Sequence, residues 1–458
     1  MGSEKPVVFY HRLFLFLTAL TGVFLLKNFL LRDYWFDEAL TLINFALLDS
    51  PREIYNSYVI PNNQIVNTLF LHYLWKELNI PSGLLRLFPL CCAVLMIFLL
   101  RADCTGERKK AALDCALAAL VLSPAFLIYS TALRGYILVM LFGVAALYCG
   151  RKYLLSEKNI YLPGWFVFSL AAVGTMPSAL AFMAGVICYF MLFFKRNFWQ
   201  DKRFYILILL VLASFALFYV PIWKNLTGAF ALKEGWHSRS AALLAVATGI
   251  CYTFLPLIFF AIYALIKYPL SGKYLYWGLI WIMPLGMLVF PVMPFPRVWV
   301  VLLPLMVLTL GEILCRLPRK ILLAAMISVL LWGVAGNTVS VKKYFSRWCS
   351  GAGQDDFLYP EFVCEEYTPS STASFIRKNF PYSPVFVSFT ADPWAMMLTL
   401  NRPVFFDSPR GRVRKLPDGC VVVLHKNDDV PDFCARFDLT LSVAGECGIH
   451  KIYISKNR

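Results

Sequence analysis

Long apolar runs, about 17–25 residues each, fill the first three quarters of this chain, and basic residues collect in every second gap between them. A bilayer core about 30 Å thick takes about 20 apolar residues per helical crossing. On that measure the pattern predicts about eleven spans, near 11–31, 84–101, 111–129, 135–150, 160–176, 177–194, 204–222, 243–267, 274–292, 297–315 and 321–340. The first run, "LFLFLTALTGVFLL", is followed by "KNFLLRDYW" with no small-x-small cleavage site, so it reads as an uncleaved span. The gaps "RADCTGERKK", "RKYLLSEK", "KRNFWQDKR", "KYPLSGK" and "CRLPRK" are basic, whereas "STALR", "TMPS" and "VMPFPR" are not. The excess of positive charge on cytoplasmic loops places the first set, and the N-terminus, in the cytoplasm. The 32–83 loop, the loop near 223–242 and everything from 341 then lie outside. "QIVNTLFLHYLWKEL" (64–78) is apolar but short, and counting it as a span breaks the charge alternation. It reads as a juxtamembrane helix with His72, Tyr73 and Trp75 at the interface.

Beyond 340 the pattern shortens and alternates. "SSTASFIRKNF", "DPWAMMLTL" and "VPDFCARF" predict helices. "PVFVSF", "PVFFD", "CVVVLHK", "LTLSVA" and "KIYISK" predict strands. The expected architecture is an α-helical polytopic membrane domain over 1–340, including the first outer loop, and a soluble extracytoplasmic α/β domain over 341–458.

Composition agrees. Of 458 residues 59% are apolar and only 15% charged, against about 45–50% and about 25% in soluble domains. The net charge of +16 is dispersed between apolar runs, where it fixes orientation and meets anionic lipid; this excludes a nucleic-acid partner. Most of the thirteen cysteines lie in apolar runs as small hydrophobes. Those of the tail (Cys349, Cys364, Cys420, Cys434, Cys447) lack metal-ligand spacing but allow disulfides in an oxidising compartment.

Polar residues that a membrane protein retains against cost mark its chemistry. Asp37 and Glu38 follow the first span within "YWFDEALT". "PNNQ" (61–64), "SPAFLIYSTALRGY" (123–136) and "PFPRVW" (294–299) lie on the same expected face. Acid, amide and two arginines thus share one side of the membrane, a set suited to a charged lipid headgroup and a hydroxyl to be activated. Each has a plainer reading. Asp37 can N-cap the helix "EALTLINFALL", with Glu38 favouring its dipole. Arg134 and Arg297 can snorkel to headgroups, and Arg86 can anchor the start of the second span. His237 in "KEGWHSRS" can be a solvated loop residue or a group on a flap reaching the site.

"WFDEALT", "PNNQIVNTLFLHYLW", "RLFPLCCAVLMIFLL" and "LSPAFLIYSTALRGYILVMLF", in this order and spacing, resemble the N-terminal module of GT-C glycosyltransferases. These are polytopic enzymes that use polyprenyl-phosphate sugars, among them aminoarabinose transferases and protein O-mannosyltransferases. The resemblance covers about residues 30–150 and departs at Gln64, where the family usually has His. It implies inverting transfer of a sugar from a polyprenyl-phosphate donor to an acceptor hydroxyl at the outer face. Carried over, Asp37 is the base and Glu38 orients the acceptor or shares that work. Arg134 and Arg297 meet the lipid phosphate; apart from the resemblance, Arg86 and His237 are candidate substrate contacts by position. Tyr129 and Tyr136 line the sugar pocket, and Asn62, Asn63 and Gln64 hydrogen-bond it. The resemblance implies no cofactor and no metal. The expected partners are a lipid-linked sugar, a glycan, lipid or protein acceptor, and membrane lipids. The expected location is a bacterial inner membrane, with the tail in the periplasm. Two other classes fit the same residues: a transporter or flippase of lipid-linked sugars, which should carry mid-membrane ionisable groups, and a non-catalytic envelope assembly protein.

Overall fold

A computed structural model of the chain describes residues 5–57, 63–102, 104–193, 201–224, 239–268, 296–337, 367–407 and 413–457. In chain order the helices are α1 (Lys5–Leu30), α2 (Phe36–Thr41), α3 (Pro51–Asn56), α4 (Ile65–His72), α5 (Leu87–Ala102), α6 (Glu107–Val121), α7 (Pro124–Tyr129), α8 (Tyr136–Ser156) and α9 (Tyr161–Thr175). They continue with α10 (Ala179–Phe193), α11 (Lys202–Tyr219), α12 (Arg239–Lys267), α13 (Leu303–Leu314), α14 (Arg319–Ala335), α15 (Pro369–Asn379), α16 (Pro393–Leu400) and α17 (Val430–Phe437). The strands are β1 (Val385–Val387), β2 (Val421–His425), β3 (Leu439–Cys447) and β4 (His450–Asn457). Contacts gather them into two compact units, one of Met1–Leu30 with Leu48–Tyr359, the other of Leu31–Leu47 with Pro360–Arg458.

The first unit is a polytopic helical body. Among the described residues six stretches are long and apolar enough to cross a membrane: Phe9–Leu30, Ser82–Ala102, Tyr136–Ser156, Lys202–Ile222, Leu243–Lys267 and Pro296–Leu314. Helix α8 is apolar all round and buried, as a helix surrounded by helices must be. It packs against α5, α9 and α10. A methyl at its Gly143 would lie 2.3 Å from the Phe182 ring of α10, so a missing side chain is what lets these helices approach. At the periphery, Phe16, Leu20, Val23 and Phe24 of α1 and Leu209 and Leu217 of α11 are exposed. Such a surface is stable only in an apolar solvent.

The expected span 111–129 is broken. Helix α6 stops at Val121, and Ser123 Oγ accepts from Phe126 N (3.2 Å) to start α7, with Pro124 in its first turn. Asn337 Nδ2 donates to the freed Leu122 carbonyl at 2.8 Å. Ser-Pro is a helix-start signal that the continuous apolar run hides. His72, expected at the interface, is instead buried, with Nε2 3.6 Å from Glu77 Oε1. The expected span 274–292 lies outside the described residues.

The second unit is an α/β domain with strand order β1-β2-β4-β3. β1 pairs parallel with β2; β4 pairs antiparallel with β2 and β3. Alternation along the strands makes two cores. Val385, Val387, Val421, Val423 and Ile452 pack with Ala373 and Ile376 of α15 and Met396 and Leu400 of α16. Phe386, Val422, Leu424 and Tyr453 pack with Phe437 of α17 on the opposite face. The expected strand at 403–407 is reduced to one parallel bridge, Phe386 with Phe405; Pro403 has no N–H to extend the pairing. Cys420, Cys434 and Cys447 are free thiols, and Cys349 and Cys364 lie outside the described residues.

Residues 31–47 join this α/β unit by contact. Helix α2 packs on α16. The Phe36 ring lies edge-on to Trp394 at 4.8 Å and Phe389 at 5.6 Å, and Trp394 Nε1 donates to Asn44 Oδ1 at 3.2 Å. Asp33 Oδ2 accepts from Ser370 N (3.0 Å) and Oγ (2.8 Å). Tyr367 OH donates to the Tyr34 carbonyl at 3.0 Å. These bonds join stretches of the chain that are remote in sequence.

Candidate active site

Asp37 and Glu38 are 7% and 0% exposed. Removing a carboxylate from water costs several kcal/mol unless the surroundings compensate, so such a pair needs a reason. The helix start accounts for one of them. The N-cap of α2 is Trp35, not Asp37, and Glu38 Oε2 turns back to accept from Trp35 N at 3.4 Å. The capping role expected of Asp37 therefore falls to Glu38. Asp37 sits in the first turn, where the helix dipole favours its charge, and its carbonyl accepts from Thr41 Oγ1 at 2.7 Å.

A third buried acid belongs to the same unit. Asp392, 4% exposed, caps α16: Oδ1 accepts from Ala395 N at 3.0 Å, and Tyr367 OH donates to Oδ2. Burial, and in the same direction the charge of Asp37, push its carboxyl from 3.8 up to about 6 against those two hydrogen bonds. In sequence it was visible only as the first residue of "DPWAMMLTL", a helix cap; nothing local pairs it with Asp37.

The first unit holds the remaining described candidates. Arg134, buried at 2% exposure, lies in the turn between α7 and α8. Two amides from one face of the α4 start pin that turn on either side of it. Asn67 Nδ2 donates to the Leu133 carbonyl at 3.2 Å, and Gln64 Oε1 accepts from Gly135 N. Gln64 Nε2 contacts Met176 Sδ at 3.3 Å. Asn63 Nδ2 donates to the Ile54 carbonyl at 2.7 Å. The amides expected to meet a sugar thus hold backbone, and Asn67, which sequence reasoning passed over, is half of the clamp on the arginine turn; its spacing from Gln64, i to i+3 on one helix face, was the available signal. Tyr129 and Tyr136 are buried with ring centroids 4.9 Å apart, one before and one after the turn. Arg86 Nη1 donates to the carbonyls of Phe29 (3.3 Å) and Leu30 (3.4 Å). It thereby caps the C-terminus of α1, where a cation is favoured. Arg297 opens the 3₁₀ segment Pro296–Leu302, which packs against α8. Asn62 and His237 lie outside the described residues.

Gly135 is the tight point of the clamp. An added methyl would lie 2.6 Å from Thr175 Cγ2, 3.1 Å from Gln64 Oε1 and 3.3 Å from Asn67 Cβ. Gly135→Ala should therefore destabilise by about 1–3 kcal/mol and release the turn that presents Arg134. A thermal melt and amide hydrogen exchange across residues 130–136 on the same preparation check both effects.

No family model and no curated protein matches the sequence. Among solved structures the fold is similar to ArnT from Cupriavidus metallidurans in the apo state, with a TM-score of 0.59 and 12% identity over 99% of this chain and 98% of that one. It is equally similar to the same protein bound to undecaprenyl phosphate, with a TM-score of 0.58 over the same shares. The likeness is one of fold, and the expected polytopic helical protein with a C-terminal α/β domain is observed, with residues 31–47 belonging to the α/β unit.

Proposed function

We propose that this chain is an inverting glycosyltransferase that moves a sugar from a polyprenyl-phosphate donor to an acceptor hydroxyl at the outer face of a bacterial inner membrane. The observation that carries the reading is Asp37: a buried carboxylate in the first turn after the first span, whose helix is capped by another residue. The fold likeness supports it, since one of the similar structures holds undecaprenyl phosphate.

The chemistry follows from the residues. The acceptor oxygen attacks the anomeric carbon, a new C–O bond forms, and the bond to the phosphate oxygen breaks with its electron pair leaving on the lipid phosphate. The acceptor proton passes to the Asp37 carboxylate, a general-base step on an oxocarbenium-like transition state. Arg134 and Arg297 meet the growing phosphate charge, which a guanidinium stabilises through paired N–H donors. Glu38, held against the Trp35 N–H, orients the acceptor, and Tyr129 and Tyr136 flank the sugar. No divalent metal takes part in this scheme. Chelation should therefore leave the rate unchanged.

The test is purified protein in vesicles with polyprenyl-phosphate sugar and a hydroxyl acceptor, followed by mass spectrometry. The expected products are free polyprenyl phosphate and a new glycoside in equal amounts. Translocated but unaltered lipid would make the chain a carrier; tight lipid binding with neither outcome would make it an assembly protein. Arg134→Lys keeps the charge but loses the planar fork. It should raise the KM for donor about tenfold, the factor for about 1.4 kcal/mol of lost phosphate contact, with a smaller change in kcat.

A further inference from the structure

In the α/β unit, β1 is followed by the turn Phe389–Ala391 and α16, and β2 by residues 426–429 and α17. The two helices cover opposite faces of the sheet, α16 the side of Val385 and Val421, α17 that of Phe386 and Val422. Their connections also part. The chain leaving α16 pairs at Phe405 along the outer edge of β1, and the chain leaving α17 returns as β3 and β4 beyond β2. Where neighbouring parallel strands send their connections opposite ways, a crevice opens at their carboxyl ends, and ligands of α/β sheets bind there.

The residues at this crevice select a class of ligand. Ser388 Oγ donates to Asp428 Oδ2 at 2.6 Å, and Thr390 Oγ1 to Oδ1 at 2.7 Å. With both protons committed to the carboxylate, the two hydroxyl oxygens keep lone pairs for donors on a ligand. Asp428 Oδ2 also accepts from His425 N at 2.8 Å, which ties the two loops together. His425 Nδ1 accepts from Asn427 N at 3.1 Å, so its Nε2 carries the proton and can donate. In register with it on β4, His450 is 0% exposed, with Nδ1 2.8 Å from Thr372 Oγ1. Burial, and after it His425, hold its imidazole down at about 4, and its Nε2 is buried with no hydrogen-bond partner. Between the two hydroxyls in the chain stands Phe389, 44% exposed, its ring edge-on to Phe36 at 5.6 Å. Phe36 is the residue before Asp37.

Helix N-termini at such a crevice ordinarily draw a phosphate. Here Asp392 already caps Ala395 N at 3.0 Å, and Asp429 caps Asp432 N at 3.1 Å. With Asp428, these carboxylates disfavour an anion. An uncharged polyol suits the set, because its hydroxyls can donate to the two oxygens while the C–H face of its ring lies on an aromatic. We propose that this crevice binds a carbohydrate, with a sugar ring on Phe389 and its hydroxyls on Ser388 Oγ and Thr390 Oγ1, and that this sugar is the acceptor. The acceptor role rests on the transferase reading; the binding does not.

Amide hydrogen exchange on the full-length protein in nanodiscs tests the binding, with methyl hexosides and methyl N-acetylhexosaminides as probes. At a probe concentration about ten times its Kd, exchange across 388–392 and 425–429 should slow about tenfold. Phe389→Ala and Thr390→Val, both at exposed positions, should keep the wild-type melt and lose most of that protection. No protection by any of these glycosides, or equal protection in both variants, overturns the site. In the vesicle assay with a glycan acceptor, Phe389→Ala should raise the KM for acceptor about three- to tenfold, with kcat and the KM for donor nearly unchanged. An unmoved acceptor KM alongside lost protection overturns the acceptor role. Protection in a wild-type protein that makes no glycoside defeats the transferase reading and leaves the carbohydrate site standing.

Discussion

Asp37→Asn should lower the rate of sugar transfer by about 10²- to 10⁴-fold, the range in which a positioned general base acts, equivalent to about 3–5 kcal/mol at the transition state. The amide has the shape of the acid but cannot take the acceptor proton. The fold should survive. The start of α2 depends on Glu38 reaching back to Trp35 N, not on the Asp37 side chain, and the lost charge–dipole attraction is worth about 0.3–1 kcal/mol. The effect should fall on kcat and leave the KM for donor nearly unchanged, since the phosphate contacts are assigned to Arg134 and Arg297. That split separates Asp37→Asn from Arg134→Lys, whose effect lies mainly in KM. A purified Asp37→Asn protein with a normal melt and near wild-type turnover would falsify the base assignment.

Asp114→Asn should be the most destabilising substitution among those considered, by about 3 kcal/mol. Asp114 on α6 is 2% exposed and ties together three helices. Arg101 of α5 makes a two-point contact, Nε to Oδ1 at 2.6 Å and Nη2 to Oδ2 at 3.0 Å. His11 of α1 places Nε2 2.9 Å from Oδ2. Removing the acid leaves the guanidinium without its counter-charge, and that uncompensated ion, rather than the value of the bridge itself, sets the cost. Partial exposure of Arg101, 38% at its side chain, holds the effect at the lower end of the range for buried pairs. Combining Asp114→Asn with Arg101→Gln should recover much of the loss, because the charge left behind is gone too. Denaturant titrations of the four proteins of that double-mutant cycle measure the coupling. Additive losses would show that the three helices are held by packing alone. The same geometry bears on the transporter reading: this buried acid is clamped by two partners, an arrangement that resists the changes of protonation or partner a transport cycle needs.

The legible part of this protein was the part written locally. Runs of apolar residues marked the helices of the first unit because a span needs only length and hydrophobicity. A short continuous apolar run marked β2, and partial alternation marked β4, because a strand covered on both faces is apolar throughout and shows its pattern within a few residues. The Ser-Pro break at 123–124 was also local, yet a hydropathy window averages over it. Among the candidate residues, Asp37, Glu38 and Arg134 stood out because each is an ion that an apolar neighbourhood should exclude.

The rest depended on which distant segments touch. Gln64 looks like a sugar ligand in "PNNQ", but Gly135 and Met176 take its amide. Arg86 looks like an interface anchor, but the end of α1 takes its guanidinium. Residues 31–47 read as part of the first outer loop, yet the aromatic cluster of Phe36, Phe389 and Trp394 joins them to the α/β unit. Asp392 reads only as a helix cap, yet Tyr367, remote from it along the chain, also reaches its carboxylate.

By itself the order of residues determined a many-span protein with an α/β tail and the ions it retains in apolar surroundings, because secondary structure and membrane partition answer to neighbours along the chain. Only the folded form decided that residues 31–47 pack with the α/β unit and that Asn67 and Gln64 clamp the turn of Arg134, since such contacts join stretches that are remote in sequence.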